Sequence, residues 1–138
     1  MVETQEQIFD CIRKKYVTLT PEEWVRQHFI NFLIDYKGYP KGLIAIEHQV
    51  IINGNPQRVD IVTFKRDGKP LLVVECKAPS VALTQDTYSQ AARYNLALKA
   101  NYLIITNGIK HFCSRVDLVR MEFESLTEIP SFNEINML

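Results

Sequence analysis

No stretch of the chain stays apolar for the roughly 18 residues that a membrane-spanning helix needs, and its first residues are too polar for a signal peptide. Cysteine is scarce: Cys11, Cys76 and Cys113 are odd in number, far apart and free of any CxxC spacing. That argues against a disulfide framework or a zinc cluster and for reduced thiols in a cytoplasm. Net charge is missing too, with 16 basic residues against 16 acidic ones. A domain that grips nucleic acid unaided normally carries excess Lys and Arg, so any DNA would have to be delivered by a partner or a neighbouring domain. An acidic catalytic site remains compatible with that balance. There is no Walker A motif, so this chain alone drives no ATP-dependent motor. His28, His48 and His111 fall on different segments without HExxH or HxH spacing, and repeats, low-complexity tracts and linkers are absent.

What is present reads as one α/β domain of 138 residues, 46% hydrophobic and 23% charged. Residues 1–17 are expected to hold a short helix, from Gln5 to Lys15, with Ile8, Phe9 and Ile12 on one face. A second helix begins in "TLTPEEWVRQHFINFLIDYKGYP". Thr20 suits the N-cap, Pro21 the first helical position, and Glu23 completes a capping box. Val25, Phe29, Phe32, Leu33 and Tyr36 recur at helical spacing until Gly38 and Pro40 end the pattern. Three strand-like runs follow, "LIAIEHQVII", "RVDIVTFK" and "PLLVVECK", separated by Asn53-Gly54 and Asp67-Gly68. Both dipeptides favour hairpins, so the runs form an antiparallel meander. "ALTQDTYSQAARYNLALKA" reads as a further helix with Tyr88, Ala91, Ala92, Leu96 and Leu98 as its apolar positions. "YLIIT" is a strand closed by Asn107-Gly108, "KHFCSRV" and "LVRMEFES" make a final pair, and residues 116–138 hold the last strand and a tail.

Opposite charges at the end of an aliphatic strand locate the chemistry. In "LLVVECKAPS", alternation puts Glu75 and Lys77 on one side and Val74 and Cys76 on the other. With Asp67-Gly68 as pivot, Asp60 of "RVDIVTFK" falls opposite Glu75. Two facing carboxylates repel unless a cation lies between them, and a hard divalent ion suits such a pair. Mg²⁺ (or Mn²⁺) takes a few carboxylate oxygens and keeps several waters, and the Cys76 carbonyl offers a further oxygen. Lys77 is placed to position or activate a water and to stabilise charge developing on a phosphate.

This pattern resembles the PD-(D/E)XK nuclease signature, and the αβββαβ order resembles the restriction-endonuclease-like core of that superfamily. More narrowly, "TPEEWVRQHFINFLIDYKGYP", "RVDIV", "VVECKAP", "QAARYN" and "YLIITNG" together are similar to the N-terminal nuclease domain of the type I restriction enzyme R subunit, over about residues 18–115. The resemblance implies that Asp60 and Glu75 bind metal and that Lys77 is the catalytic lysine. Gln90 and Tyr94 look like the Gln-x-x-x-Tyr motif of the branch that includes RecB-type exonucleases. One turn apart on a helix, they point to the metal or the DNA backbone, or else are a surface polar residue and a core tyrosine. The family also tends to carry a glutamate on the first helix. Glu22 is the choice here, because it lies on the buried stripe while Glu23 serves the capping box. Arg26, one turn on, is placed to orient Glu22 or to touch phosphate. Val59 departs from the pattern, standing where the motif has Pro.

The function these residues imply is a Mg²⁺-dependent DNA endonuclease domain of restriction-modification defence, leaving a 5′-phosphate. Its expected partners are DNA, a translocase domain and methylation and specificity subunits, in the cytoplasm and away from membranes. The alternative is a non-catalytic interaction module that retains a nuclease fold.

Overall fold

The computed structural model describes residues 5–136. A six-stranded mixed sheet separates two helices. Strands β3 (Ile44–Ile52), β4 (Asn55–Phe64), β5 (Pro70–Cys76), β6 (Tyr102–Thr106), β7 (His111–Asp117) and β8 (Glu122–Leu126) lie side by side in chain order. All neighbours are antiparallel except β5 and β6, which are parallel and joined through helix α2 (Gln85–Leu98). Helix α1 (Pro21–Asp35) covers the opposite face.

Helix α1 starts as its residues dictate. The Thr20 hydroxyl accepts the Glu23 N–H at 3.1 Å, with Pro21 at the first helical position. Its Val25, Phe29, Ile30 and Leu33 pack on Ile61, Leu72, Val74 and Ile104. Gly38, at φ 73°, then turns the chain away, a conformation that a side chain would resist. On the other face, Ala91 and Tyr94 of α2 pack with Val62, Val73 and Leu103. Leu96, expected among the apolar positions of that helix, is exposed instead. Past β8, Ile129, Phe132 and Ile135 enter the α1-side core through the short helix α3 (Phe132–Asn136), and Tyr39 donates its hydroxyl to the Pro130 carbonyl at 2.8 Å. The expected tail is therefore packed as far as it is described, its last two residues lying outside the described residues.

The expected N-terminal helix is not formed. Residues 7–18 make a hairpin of β1 (Gln7–Asp10) and β2 (Lys15–Thr18), with Phe9 opposite Tyr16 and their rings 5.1 Å apart. The cause is local: Asp10 Oδ1 accepts the N–H groups of Ile12 and Arg13 at 2.9 and 2.8 Å. That side-chain turn outcompetes helical bonding, and Lys14 completes the reversal at φ 55°.

A second irregularity lies inside the meander. Ile61 packs with the α1-side core whereas Val59, of the same parity, packs with the α2-side core. Strict alternation thus fails at Asp60, as it does on the neighbouring strand, where Ile46 and Val50 diverge in the same way around Glu47. Glu47 sits at φ 51°, yet register is kept on either side, Ile46 with Ile61 and His48 with Val59. The matched disturbance turns Asp60 out of the regular pleat.

Lys99 ends α2 in the left-handed conformation, and buried Asn95 holds that end by accepting the Ala100 N–H at 2.8 Å and donating to the Ala100 carbonyl at 3.1 Å. Asn95→Ala leaves both main-chain groups without their partner. It is expected to lower unfolding free energy by about 2 kcal/mol in urea titration; an unchanged midpoint would contradict this reading of the helix end.

Candidate active site

The carboxyl end of β5 is where the chain leaves the sheet for α2, the edge at which ligands gather in parallel β–α–β units. Asp60 meets this edge from β4. The β4–β5 ladder pairs Ile61 with Val74 and Thr63 with Leu72, and the same register carried one residue further sets Asp60 across from Glu75. Instead of continuing the ladder, Asp60 accepts the Cys76 main-chain N–H on Oδ2 at 2.8 Å. Its other oxygen takes the Arg26 guanidinium at 2.7 Å. On the far side of β5, the Lys77 N–H bonds to the Thr106 carbonyl at 2.8 Å and locks the strand end to β6.

Glu75 is 6% exposed. One carboxylate oxygen lies 3.6 Å from the Lys77 ammonium. The other, Oε2, is buried with no hydrogen-bond partner among the described residues. Burial, reinforced by the Asp60 charge and only partly opposed by Lys77, pushes its carboxyl up to about 8. Lys77 Nζ also donates to Gln90 Oε1 at 3.4 Å, and Gln90 Nε2 donates to the Tyr94 hydroxyl at 3.3 Å. Gln90 and Tyr94, one turn apart on α2, thereby join the same cluster. They also line a cleft of about 180 Å³ with Ile52, Gln57 and Arg93.

Glu22 is exposed, not on the buried stripe where helical spacing put it. The core beneath α1 ends before the helix's first turn, so a stripe position there overhangs the open end of the sheet. It still senses the site: partial burial and the nearby Asp60 charge raise its carboxyl, with Arg26 and Lys77 opposing. Glu23 is the buried one. Its backbone serves the cap, while its carboxylate turns inward to Arg13, Arg26 and Gln27. Arg26 is only 8% exposed and pairs with Glu23 and Asp60, which makes it a partner of a site carboxylate. Sequence reading gave Glu23 only the capping box and did not single out Glu47 or Arg13; the signal for the last was Asp10, a turn former three residues before it. The Cys76 side chain is wholly buried, and burial holds its thiol well above the ordinary range, so only its main chain is available to the site.

Among the described residues no three His, Cys, Asp or Glu side chains gather as a ready-made metal set. A hard cation asks for less: two carboxylates, a carbonyl and retained water. Asp60, Glu75 and the main chain of Cys76 fit that demand, and the unpartnered Glu75 oxygen leaves one further oxygen uncommitted.

Comparison with known proteins places the fold and the family. Residues 21–130 match the family described as type I restriction enzyme R protein N terminus. The chain belongs to that family. Its fold is similar to a fragment of a candidate HsdR subunit of a type I restriction enzyme from Vibrio vulnificus YJ016, at 22% identity and a TM-score of 0.59. That match covers 84% of this chain and 24% of the other, so the chain spans about a quarter of its relative's length. It is also similar to a candidate nuclease of the DUF820 group from Anabaena variabilis ATCC 29413, at 12% identity and a TM-score of 0.54, over 91% of this chain and 82% of the other. No curated protein matches it. The chain is thus an R-protein N-terminal type of domain, with the mixed α/β fold of these structural neighbours. Among the described residues no helix is long and apolar enough to cross a membrane.

The raised Glu75 carboxyl has a consequence for stability. Folded, the group keeps its proton up to about pH 8, whereas unfolded it releases it near the usual 4.5. The folded state therefore binds more protons across that window, and stability falls as pH rises through it. Glu75→Gln removes the effect. In EDTA it should be more stable than wild type by about 1–3 kcal/mol at pH 8, and by much less at pH 5, in urea titrations. A wild type that gains stability over this range relative to the variant would contradict the assignment.

Proposed function

We propose that this domain is a Mg²⁺-dependent (or Mn²⁺-dependent) DNA endonuclease that hydrolyses phosphodiester bonds and leaves a 5′-phosphate. The observation that carries the reading is the buried, unpartnered Glu75 oxygen beside Asp60, with Lys77 within 3.6 Å of the same carboxylate. Asp60, Glu75 and the Cys76 carbonyl would hold the ion, with Glu22 reaching it through water. When bound, the ion would supply charge neutralisation at the scissile phosphate and a bound water more acidic than bulk water.

The chain's own groups do the rest. Lys77 directs its ammonium toward the attacking water and toward charge developing on the phosphate. Gln90 holds Lys77 in place and is itself held by Tyr94, so the lysine is oriented from α2 as well as from its own strand. Gln90 and Tyr94 also face the substrate along the cleft. Arg26 keeps Asp60 aimed while the site is free of DNA. Zero net charge fits a domain whose DNA is presented by others: a translocase domain and methylation and specificity subunits, in the cytoplasm.

One observation favours a second reading, a non-catalytic interaction module on a nuclease fold: both Asp60 oxygens are already engaged, by Arg26 and the Cys76 N–H. Mn²⁺ titration calorimetry separates the two. Binding in the millimolar range or tighter supports the nuclease, and heatless titration of the folded wild type supports the module.

Glu75→Ala and Lys77→Ala are each expected to lower Mg²⁺- or Mn²⁺-dependent cleavage of DNA by a factor on the order of 10³ or more while the domain stays folded by circular dichroism. Cleavage that survives both substitutions and EDTA would overturn the mechanism.

A further inference from the structure

Arg13 lies outside the residues that match the family, at the turn of the N-terminal hairpin, yet its guanidinium addresses three acids. It bonds to Asp10, to Glu23 Oε1 at 2.7 Å and to Glu47 Oε2 at 3.3 Å. The second oxygen of Glu23 takes Arg26, and Arg26 takes Asp60 at 2.7 Å. Charges therefore alternate without a break from hairpin to site: Asp10, Arg13, Glu23, Arg26, Asp60. Gln27 braces the chain from the side by donating to Asp10 at 3.0 Å and to Glu23 at 3.1 Å. Asp10 is wholly buried. Burial works against its charge, but the Arg13 N–H and guanidinium, with Gln27 and the Ile12 N–H, hold its carboxyl below the ordinary value. Glu47, across the sheet from Asp60, reaches Arg26 at 3.7 Å with its remaining oxygen.

Buried ion networks contribute little net stability, because desolvation cancels most of the attraction. Apolar side chains could close this gap between hairpin and helix at least as well. What a chain of guanidinium forks supplies is direction, since each fork fixes the plane and distance of the carboxylate it meets. Arg26 faces a competition between Glu23 and Asp60. With one Glu23 oxygen held by Arg13, Arg26 keeps a nitrogen for Asp60. Without Arg13, Glu23 Oε1 keeps only the neutral Gln27 donor, and the carboxylate competes harder for the Arg26 nitrogens and draws Arg26 away.

We propose that Arg13 is a positioning residue for the nuclease site, acting through Glu23 and Arg26 to fix the carboxylate of Asp60. The catalytic consequence rests on the reading of Asp60 as a metal-binding carboxylate; the geometric one does not. The N-terminal hairpin is thereby part of the active-site support.

The test uses the full chain with Arg13→Met, the milder Arg13→Lys, and Phe9→Ala as a hairpin control that touches none of the ion pairs. The Cys76 amide, which donates to Asp60, reports the position of that carboxylate without any metal. In Arg13→Met its NMR resonance should move and its hydrogen exchange should speed up roughly tenfold or more, with Mn²⁺ affinity and kcat falling roughly 10- to 100-fold and KM little changed. Arg13→Lys, which cannot reach all three acids at once, should fall between, and it supplies the same readings if Arg13→Met does not fold. Phe9→Ala should leave all of them within about twofold. A Cys76 amide unchanged in a folded Arg13 variant overturns the proposal, as does a Phe9→Ala effect as large as that of Arg13→Met. Wild-type protein that binds no Mn²⁺ overturns the nuclease reading instead, and the amide still decides the role of Arg13.

Discussion

Placing two carboxylates side by side at the end of a buried strand raises the free energy of the folded state, and the neighbourhood of Asp60 and Glu75 is organised around that difficulty. Asp60 is relieved by Arg26 and by a main-chain N–H. Glu75 is relieved only on one oxygen, by a partly exposed lysine, and the deficit is visible as a raised carboxyl. A fold selected for stability alone would place an apolar side chain at position 75. A glutamate there costs the fold stability, a kind of cost that active sites commonly carry.

The architecture serves this arrangement in layers. The parallel β5–β6 pair, bridged by α2, creates the strand end from which Glu75 and Lys77 project, and α2 returns Gln90 and Tyr94 to the same spot. The other helix contributes from the opposite face, where Arg26 reaches Asp60 past the sheet. That reach is possible because the pleat is broken at Asp60 and Glu47 together, which turns Asp60 sideways without losing register. The family relationship then supplies a setting, a restriction subunit of which this chain corresponds to one portion.

Much of this was legible in the residues. Thr20-Pro21, the Asn53-Gly54 and Asp67-Gly68 turns and the aliphatic runs fix α1 and the meander, because local rules of capping, turn chemistry and alternation agree there. The hairpin register that sets Asp60 across from Glu75 follows from the same rules. Residues 5–15 misled because Ile8, Phe9 and Ile12 carry a helical spacing, while the turn that defeats it is made by an aspartate side chain and a left-handed lysine in place of glycine. Glu22 and Glu23 were exchanged in their environments for a related reason. Hydrophobic period ranks positions by apolar burial, and Glu23 is buried by arginines. Glu47 and Arg13 were illegible in the same sense, since a charge network that closes across four separate segments leaves no periodic trace in any one of them.

The central claim is that a hard cation belongs between Asp60 and Glu75. Anomalous diffraction from crystals of the domain soaked in Mn²⁺ tests it most directly. The account predicts an anomalous peak about 2.1–2.3 Å from an oxygen of each carboxylate, with Arg26 still anchored on Glu23. A fully soaked crystal whose only Mn²⁺ peaks lie elsewhere, with Asp60 still bound to Arg26 and the Cys76 N–H, would contradict it.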